Sequence, residues 1–167
     1  KELLTASKNT GLTRWYAAIC ARVAARQRCG SLPAVPPVYI VRPNEMAQLD
    51  RLIENGGGGL ASLEGAIGVG KSTLAGAWAR KHQLKGTFPL GIDWLKVGRF
   101  EDRAFWLHAC LGVPDDEAFG SWLQQRHRLL ILDDVQDEQT IEWLTKFGDM
   151  AATVLITTEF SAWLDGR

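Results

Sequence analysis

Apolar residues follow two alternating patterns from residue 60 onwards. Short apolar runs predict four strands, at residues 60–64, 91–97, 129–133 and 153–157. Apolar residues at helical spacing predict helices between them, over residues 71–82, 103–111, 117–125 and 138–147. Strands that alternate with helices favour right-handed crossovers, so we predict an α/β fold in which a parallel sheet is sandwiched by helices.

Two further helices are predicted before the first strand. The first covers residues 12–28, which lack Gly and Pro and carry an apolar stripe of Leu12, Trp15, Ile19 and Val23. Three prolines forbid regular structure over residues 29–37, so we expect an N-terminal helix and Pro-rich linker (1–36) and a main domain (37–167). The second helix is predicted to be capped at Pro43 and Asn44 and to end at the glycines of residues 56–59.

A phosphate-binding motif lies between the first strand of the main domain and the helix that follows it. Residues 65–72 match the pattern G-x-x-x-x-G-K-[ST] at every fixed position. The predicted phosphate-binding residues are this loop and the residue after it: Gly65, Ala66, Ile67, Gly68, Val69, Gly70, Lys71, Ser72 and Thr73. Glycines let backbone N–H groups surround a phosphate, and the helix N-terminus adds its positive end. Lys71 is expected to reach the β and γ phosphates, Ser72 to ligate Mg²⁺, and Thr73 to donate to the α phosphate.

Two carboxylates follow the most apolar strand. Residues 129–132 are all aliphatic, as in a buried central strand, and Asp133 and Asp134 follow at the edge where α/β sheets bind ligands. We predict that Asp133 ligates Mg²⁺, directly or through water, and that Asp134 polarises the water that attacks the γ phosphate. Lys71 and Asp134 are therefore the predicted catalytic residues. Without other evidence, two Asp residues after an apolar strand more often belong to a turn with capping residues. The phosphate loop upstream favours a metal site instead.

Composition restricts the partners of the chain. Lys plus Arg and Asp plus Glu number 19 each, so no net charge draws the chain to nucleic acid or to an anionic membrane. The three cysteines show no metal-binding or disulfide spacing, and no apolar run approaches the ~20 residues of a membrane span. We predict a cytoplasmic protein with neither nucleic-acid nor membrane partners, whose seven scattered tryptophans serve core packing and domain interfaces.

Several blocks of sequence together resemble the NB-ARC branch of the STAND nucleotide-binding switches, the family of apoptotic protease-activating factors and plant NLR resistance proteins. They occur in the family's order, at residues 38–42, 65–75, 88–98 and 129–135. Residues 153–158, Thr-Val-Leu-Ile-Thr-Thr, are similar to the strand whose end senses the γ phosphate in that family. The resemblance covers residues 38–158, and it implies a P-loop NTPase fold with ATP or ADP and Mg²⁺ as cofactors.

The resemblance also implies further site residues. Backbone groups around Ile40 and Val41 would meet the adenine, Arg42 would lie near the phosphates or a bound water, and Thr158 would stand at the γ-phosphate sensor. The family continues with Arg after the two threonines, whereas this chain has Glu159, whose charge would repel a terminal phosphate. Small helical (ARC) and winged-helix domains follow in the family, so we expect this chain to be part of a longer protein with those domains and a sensor region.

The leading hypothesis is an ATP/ADP-binding molecular switch domain of a STAND/NLR-like signalling or defence protein, acting in apoptosis or innate immunity. Bound ADP would hold it closed, exchange for ATP would open it and allow homo-oligomerisation, and Mg²⁺-dependent hydrolysis would be slow at most. The loop motif alone is also compatible with a P-loop ATPase or kinase whose product matters. A third alternative, favoured by Glu159, is a module that keeps ADP as a structural cofactor.

Overall fold

The computed structural model describes residues 29–30, 32–54, 57–98 and 111–159. The strands are β1 (Cys29–Gly30), β2 (Gly59–Glu64), β3 (Ile92–Gly98), β4 (Leu129–Val135) and β5 (Thr153–Thr158). The helices are α1 (Pro43–Glu54), α2 (Lys71–Leu84), α3 (Asp116–Leu123) and α4 (Glu138–Thr145). The helix predicted over residues 12–28 and most of the one predicted over residues 103–111 lie outside the described residues.

The strands form one sheet in the order β1-β3-β4-β5-β2. The four longer strands are parallel to one another, and β1 adds a two-residue antiparallel pair at the edge of β3. The predicted parallel α/β sheet is therefore confirmed, and it is consistent with a P-loop NTPase-like fold. The short β1 falls in the segment for which the prolines predicted no regular structure, because a two-residue pair has no sequence pattern that periodicity could detect.

Both faces of the sheet are covered, as expected for parallel strands. Side chains along β4 alternate between the two faces of the sheet. Leu129 and Ile131 pack into a cluster with α1 and α2. Leu130 and Leu132 pack into a second cluster with α3 and α4. All four side chains are fully buried. Four of the seven tryptophans lie in the described residues, and all four, Trp78, Trp94, Trp122 and Trp143, are buried in these two clusters.

A carboxylate on α1 holds this helix against α2. Asp50 accepts hydrogen bonds from Trp78 Nε1 at 2.9 Å and from Lys81 Nζ at 2.6 Å, and its Oδ1 lies 2.8 Å from His82 Nε2. The other ring nitrogen of His82 lies 3.0 Å from Thr87 Oγ1, so the buried imidazole has a partner on each side. Burial alone would raise the pKa of Asp50, but the bonds from Lys81, His82 and Trp78 outweigh it and lower the pKa from 3.8 to about 2. This contact holds α1 beside α2.

The proline-rich segment packs on the outer side of α2. Arg80 Nη2 donates to the carbonyl oxygens of Leu32 and Pro33, at 3.1 and 3.0 Å. A Cβ at Gly76 would lie 2.9 Å from Pro33 Cγ, so the absence of a side chain on this helical glycine makes room for the proline ring. The predicted domain boundary near residue 36 remains a prediction.

Asp50→Asn is expected to destabilise the domain by roughly 1–2 kcal/mol at pH 7, because a neutral amide binds Lys81 and His82 more weakly than the carboxylate does. The pKa of Asp50 is lower in the folded than in the unfolded chain, so its contribution is complete at neutral pH and is lost as pH falls from about 4 towards 2. Urea unfolding at a series of pH values should show wild type and variant converging in that acidic range. The control is Asp149→Asn, which changes an exposed carboxylate and should shift the free energy of unfolding little at any pH.

Candidate functional site

A cleft of about 340 Å³ opens at the carboxyl edge of the parallel strands. Its walls come from the phosphate loop and the start of α2 on one side and from the ends of β3, β4 and β5 on the other. The lining residues are Ile67, Gly68, Gly70, Lys71, Ser72, Thr73, Lys96, Asp133, Asp134, Thr157 and Glu159. The structure therefore brings both predicted sequence motifs to one cavity, at the edge of the sheet where α/β folds bind ligands.

The backbone of the phosphate loop adopts a conformation that residues with a side chain rarely adopt. Gly68 and Gly70 have φ values of 78° and 91°, in the left-handed region that favours glycine. Gly70 is also the N-cap of α2, and no side chain caps this helix. The first N–H groups of α2 thus meet the cleft without a capping side chain, an arrangement suited to an anion.

Lys71 lies against its own loop. Its ammonium donates to the carbonyl oxygens of Gly65 at 2.7 Å and Ala66 at 3.0 Å. The cation is thereby held at the mouth of the loop, next to Ser72. Gly65, Ala66 and Val69 are predicted phosphate-binding residues that are not among those that line the cleft.

The end of β4 is irregular, and this irregularity places both carboxylates in the cleft. The register between β4 and β5 shifts between Leu132 and Val135, so that Asp133 and Asp134 together face the single residue Thr157. Asp134 has φ of 64°, a left-handed conformation that Asp tolerates better than most residues. In a regular strand, successive side chains would point to opposite faces. The bulge breaks this alternation, so Asp133 and Asp134 border the same cavity.

Thr157 ties the two carboxylate positions together. Its hydroxyl donates to Asp133 Oδ1 at 2.7 Å and accepts from the backbone N–H of Asp134 at 2.8 Å. Thr158, the predicted phosphate sensor, is buried, and its hydroxyl donates to Val135 O at 2.9 Å. The structure thus places Thr157, and not Thr158, on the cleft, because alternation along β5 turns neighbouring side chains to opposite sides.

Ile40, Val41 and Arg42, the site residues that the resemblance implies before α1, lie in different surroundings. The guanidinium of Arg42 donates to Val69 O and would lie 3.6 Å from a Cβ at Gly70, so Arg42 packs directly on the phosphate loop. Ile40 and Val41 are 80% and 65% exposed, and their side chains do not line the cleft. Any contact with an adenine there would have to come from their backbone groups or from the exposed faces of their side chains.

Two charged residues of the cleft were not predicted to bind a ligand. Lys96 stands near the end of β3, in register with Asp133 on β4, and Glu159 follows the end of β5. The rule that ligands meet the carboxyl ends of parallel strands would have pointed to Lys96, since it is the last charged residue of a predicted strand. Thr157 could not have been chosen over Thr158 in this way, because the choice depends on which face of β5 carries the phosphate loop, and the packing of the sheet decides this.

The oxygen atoms around the cleft are of the kind that Mg²⁺ prefers. Ser72 and Asp133 line the same cavity, and the bond from Thr157 orients the carboxylate of Asp133. These residues fit a magnesium ion that also takes ligands from a bound phosphate and from water. Within the described part of the chain, no group of three or more His, Cys, Asp or Glu residues could by itself hold a metal.

The helices described in the structure include none that is both long and apolar enough to span a bilayer.

Thr157→Val should destabilise the domain by about 1–3 kcal/mol, because it leaves the N–H of Asp134 without its acceptor and removes the donor to Asp133. Thr157→Ser keeps the hydroxyl and is the matched control, with an expected loss of less than about 1 kcal/mol. Denaturant unfolding measures both changes. Equal destabilisation by Val and Ser would show that the methyl group, and not the hydroxyl, is the important part of this side chain.

The chain was also compared with known proteins. No protein-family model matches it. It is similar to human apoptotic protease-activating factor 1, with 29% identity over an alignment of 152 residues that covers 77% of this chain. The chain spans 12% of the length of that relative. The similarity is distant and partial, and it agrees with the resemblance of the motifs to NB-ARC nucleotide-binding domains without extending beyond it.

Proposed function

We propose that residues 37–159 form an ATP/ADP-binding switch domain of a STAND-like protein. The observation that carries the proposal is the meeting of the phosphate loop with Asp133 and Asp134 in one cleft at the carboxyl edge of the sheet. The distant similarity to an apoptotic protease-activating factor supports the same class of domain.

The phosphates would bind the loop side of the cleft. Backbone N–H groups of the loop and the uncapped N-terminus of α2 supply donors and a positive dipole end, and Lys71 supplies a full charge. Lys71 would exchange its bonds to Gly65 and Ala66 for bonds to phosphate oxygens. Arg42, which donates to Val69 O, would steady the loop during this exchange.

Ser72 and Asp133 would hold Mg²⁺, which when bound neutralises phosphate charge and orients the terminal phosphate. Asp133 is suited to this task because Thr157 fixes its carboxylate, so little side-chain entropy would be lost on binding. Asp134 would accept a proton from a water molecule aligned with the terminal phosphate. Glu159 adds a third negative charge to the same cleft, and this repulsion is expected to keep hydrolysis slow.

As a switch, the domain would respond to whether the bound nucleotide carries two phosphates or three. We further propose that ADP favours a closed arrangement with neighbouring domains and that exchange for ATP permits association with other copies. Those domains and the oligomer would belong to a longer protein, a proposal supported by the distant similarity to a relative of which this chain spans 12%.

A second candidate is a domain that retains ADP as a structural cofactor and does not exchange it. Glu159 favours this alternative, since it lines the cleft together with Asp133 and Asp134 and opposes the additional charge of ATP. The two candidates differ in whether bound ADP is released and replaced.

Lys71→Ala should abolish detectable ADP binding in titration calorimetry, because it removes the only charge that the loop itself contributes. Lys85→Ala, at an exposed lysine just after α2, is the matched control and should bind ADP as the wild type does. Circular dichroism should show that both variants are folded. Unchanged ADP affinity in Lys71→Ala would exclude the proposed phosphate site.

Protein purified without added nucleotide should release ADP when it is denatured and its supernatant is analysed by ion-exchange chromatography. Incubation with excess labelled ATP before denaturation distinguishes the two candidates. Replacement of the released ADP by label supports a switch, and retention of unlabelled ADP supports a structural cofactor. Absence of any nucleotide, together with no binding in calorimetry, would contradict both.

A further inference from the structure

We propose that Lys96 recognises the third phosphate of a nucleoside triphosphate and sets the preference of this domain for ATP over ADP. The inference rests on the proposed function, since it concerns the same cleft. It assigns the sensing of the terminal phosphate to β3, a strand outside both sequence motifs.

The position of Lys96 follows from the sheet. Leu95 and Val97 pack into the core cluster with α3 and α4, whereas Trp94 packs into the cluster with α1 and α2. Alternation therefore puts Lys96 on the same face as Trp94, the face that carries α2 and the phosphate loop. Its backbone lies beside Asp133, and its side chain is exposed and lines the cleft.

The two lysines of the cleft stand at opposite ends of it. Strand β2, which leads into the phosphate loop, is separated from β3 by β5 and β4, a distance of about 14 Å across the sheet. Lys71 stays with the loop through Gly65 and Ala66. A phosphate chain that begins at the loop and extends over the ends of β5 and β4 would come nearer to Lys96 with each added phosphate.

The charges of the cleft give Lys96 a specific task. Asp133, Asp134 and Glu159 stand at the ends of β4 and β5 and repel a terminal phosphate that extends over them. Among the described residues that line the cleft, Lys96 is the cation on that side. Among the described residues, neither Lys96 nor Glu159 forms a salt bridge. The ammonium is thus available to an incoming anion.

The alternative is that Lys96 is a solvated lysine at the end of a strand, with no ligand. Such a lysine would act on any bound nucleotide only through its long-range field, which salt screens. Its removal would then weaken ADP and ATP to similar, small extents. Recognition of the third phosphate instead predicts a loss that is confined to the triphosphate.

The test compares Lys96→Gln, Lys96→Arg and Lys85→Gln with the wild type. Titration calorimetry in the presence of Mg²⁺ measures affinity for ADP and for a non-hydrolysable ATP analogue. Lys96→Gln should weaken the analogue about tenfold and ADP by less than about twofold, as expected for the loss of one charged hydrogen bond. Lys96→Arg keeps the positive charge and should restore most of the preference, and Lys85→Gln should leave both affinities unchanged.

Each other result has a definite meaning. Equal weakening of ADP and the analogue, or no change in either, overturns the role of Lys96 and leaves the proposed nucleotide site intact. If the wild type binds neither nucleotide, the proposed function fails and this inference fails with it. Thermal unfolding of each variant shows whether a loss reflects damage to β3, in which case Lys96→Met, which keeps the aliphatic stem but not the charge, decides between charge and stability.

Discussion

The burial of β4 on both faces is the constraint on which the rest of the structure depends. Its four aliphatic residues, 129–132, leave no solvent-accessible side, so the strand has one register that satisfies both core clusters. A slip by one residue would exchange the two sets of side chains and bring Asp133 into the core. Burial of hydrocarbon thus fixes where the chain reaches the edge of the sheet and where its first carboxylate stands.

At that edge, the regular pairing ends in a bulge that a single hydroxyl organises. Thr157 bonds the carboxylate of Asp133 and the backbone of Asp134, and Asp134 adopts a left-handed conformation that strand residues rarely have. The backbone departs from ideal geometry at the point where two negative side chains are turned into one cavity. Such local irregularity beside a rigid, fully buried strand is typical of a site that must hold charged groups in fixed positions.

The charges of the cleft are divided between its two sides. The loop side offers Lys71 and the end of α2, and the side formed by the strand ends offers Lys96 against three carboxylates. A diphosphate would meet mainly the first side, whereas a triphosphate would meet both. In the proposed nucleotide site, the balance between Lys96 and Glu159 would give this domain a physical means of distinguishing two nucleotides that share the same loop.

The sequence by itself determined the class of fold and the two motifs. Periodicity located the four parallel strands and the helices of the described region to within a few residues, because burial on two faces imposes apolar runs that are visible without coordinates. The G-x-x-x-x-G-K-S segment and the Asp pair were readable because both depend on residue types at short, fixed spacing. Only the tertiary structure decided that Thr157 faces the cleft in place of Thr158, that Asp134 shares it with Asp133, and that Lys96 closes its far side. The position of Thr157 depends on which face of β5 carries the phosphate loop, that of Asp134 on a register shift, and that of Lys96 on the order of strands that are distant in sequence. None of these leaves a local pattern in the chain.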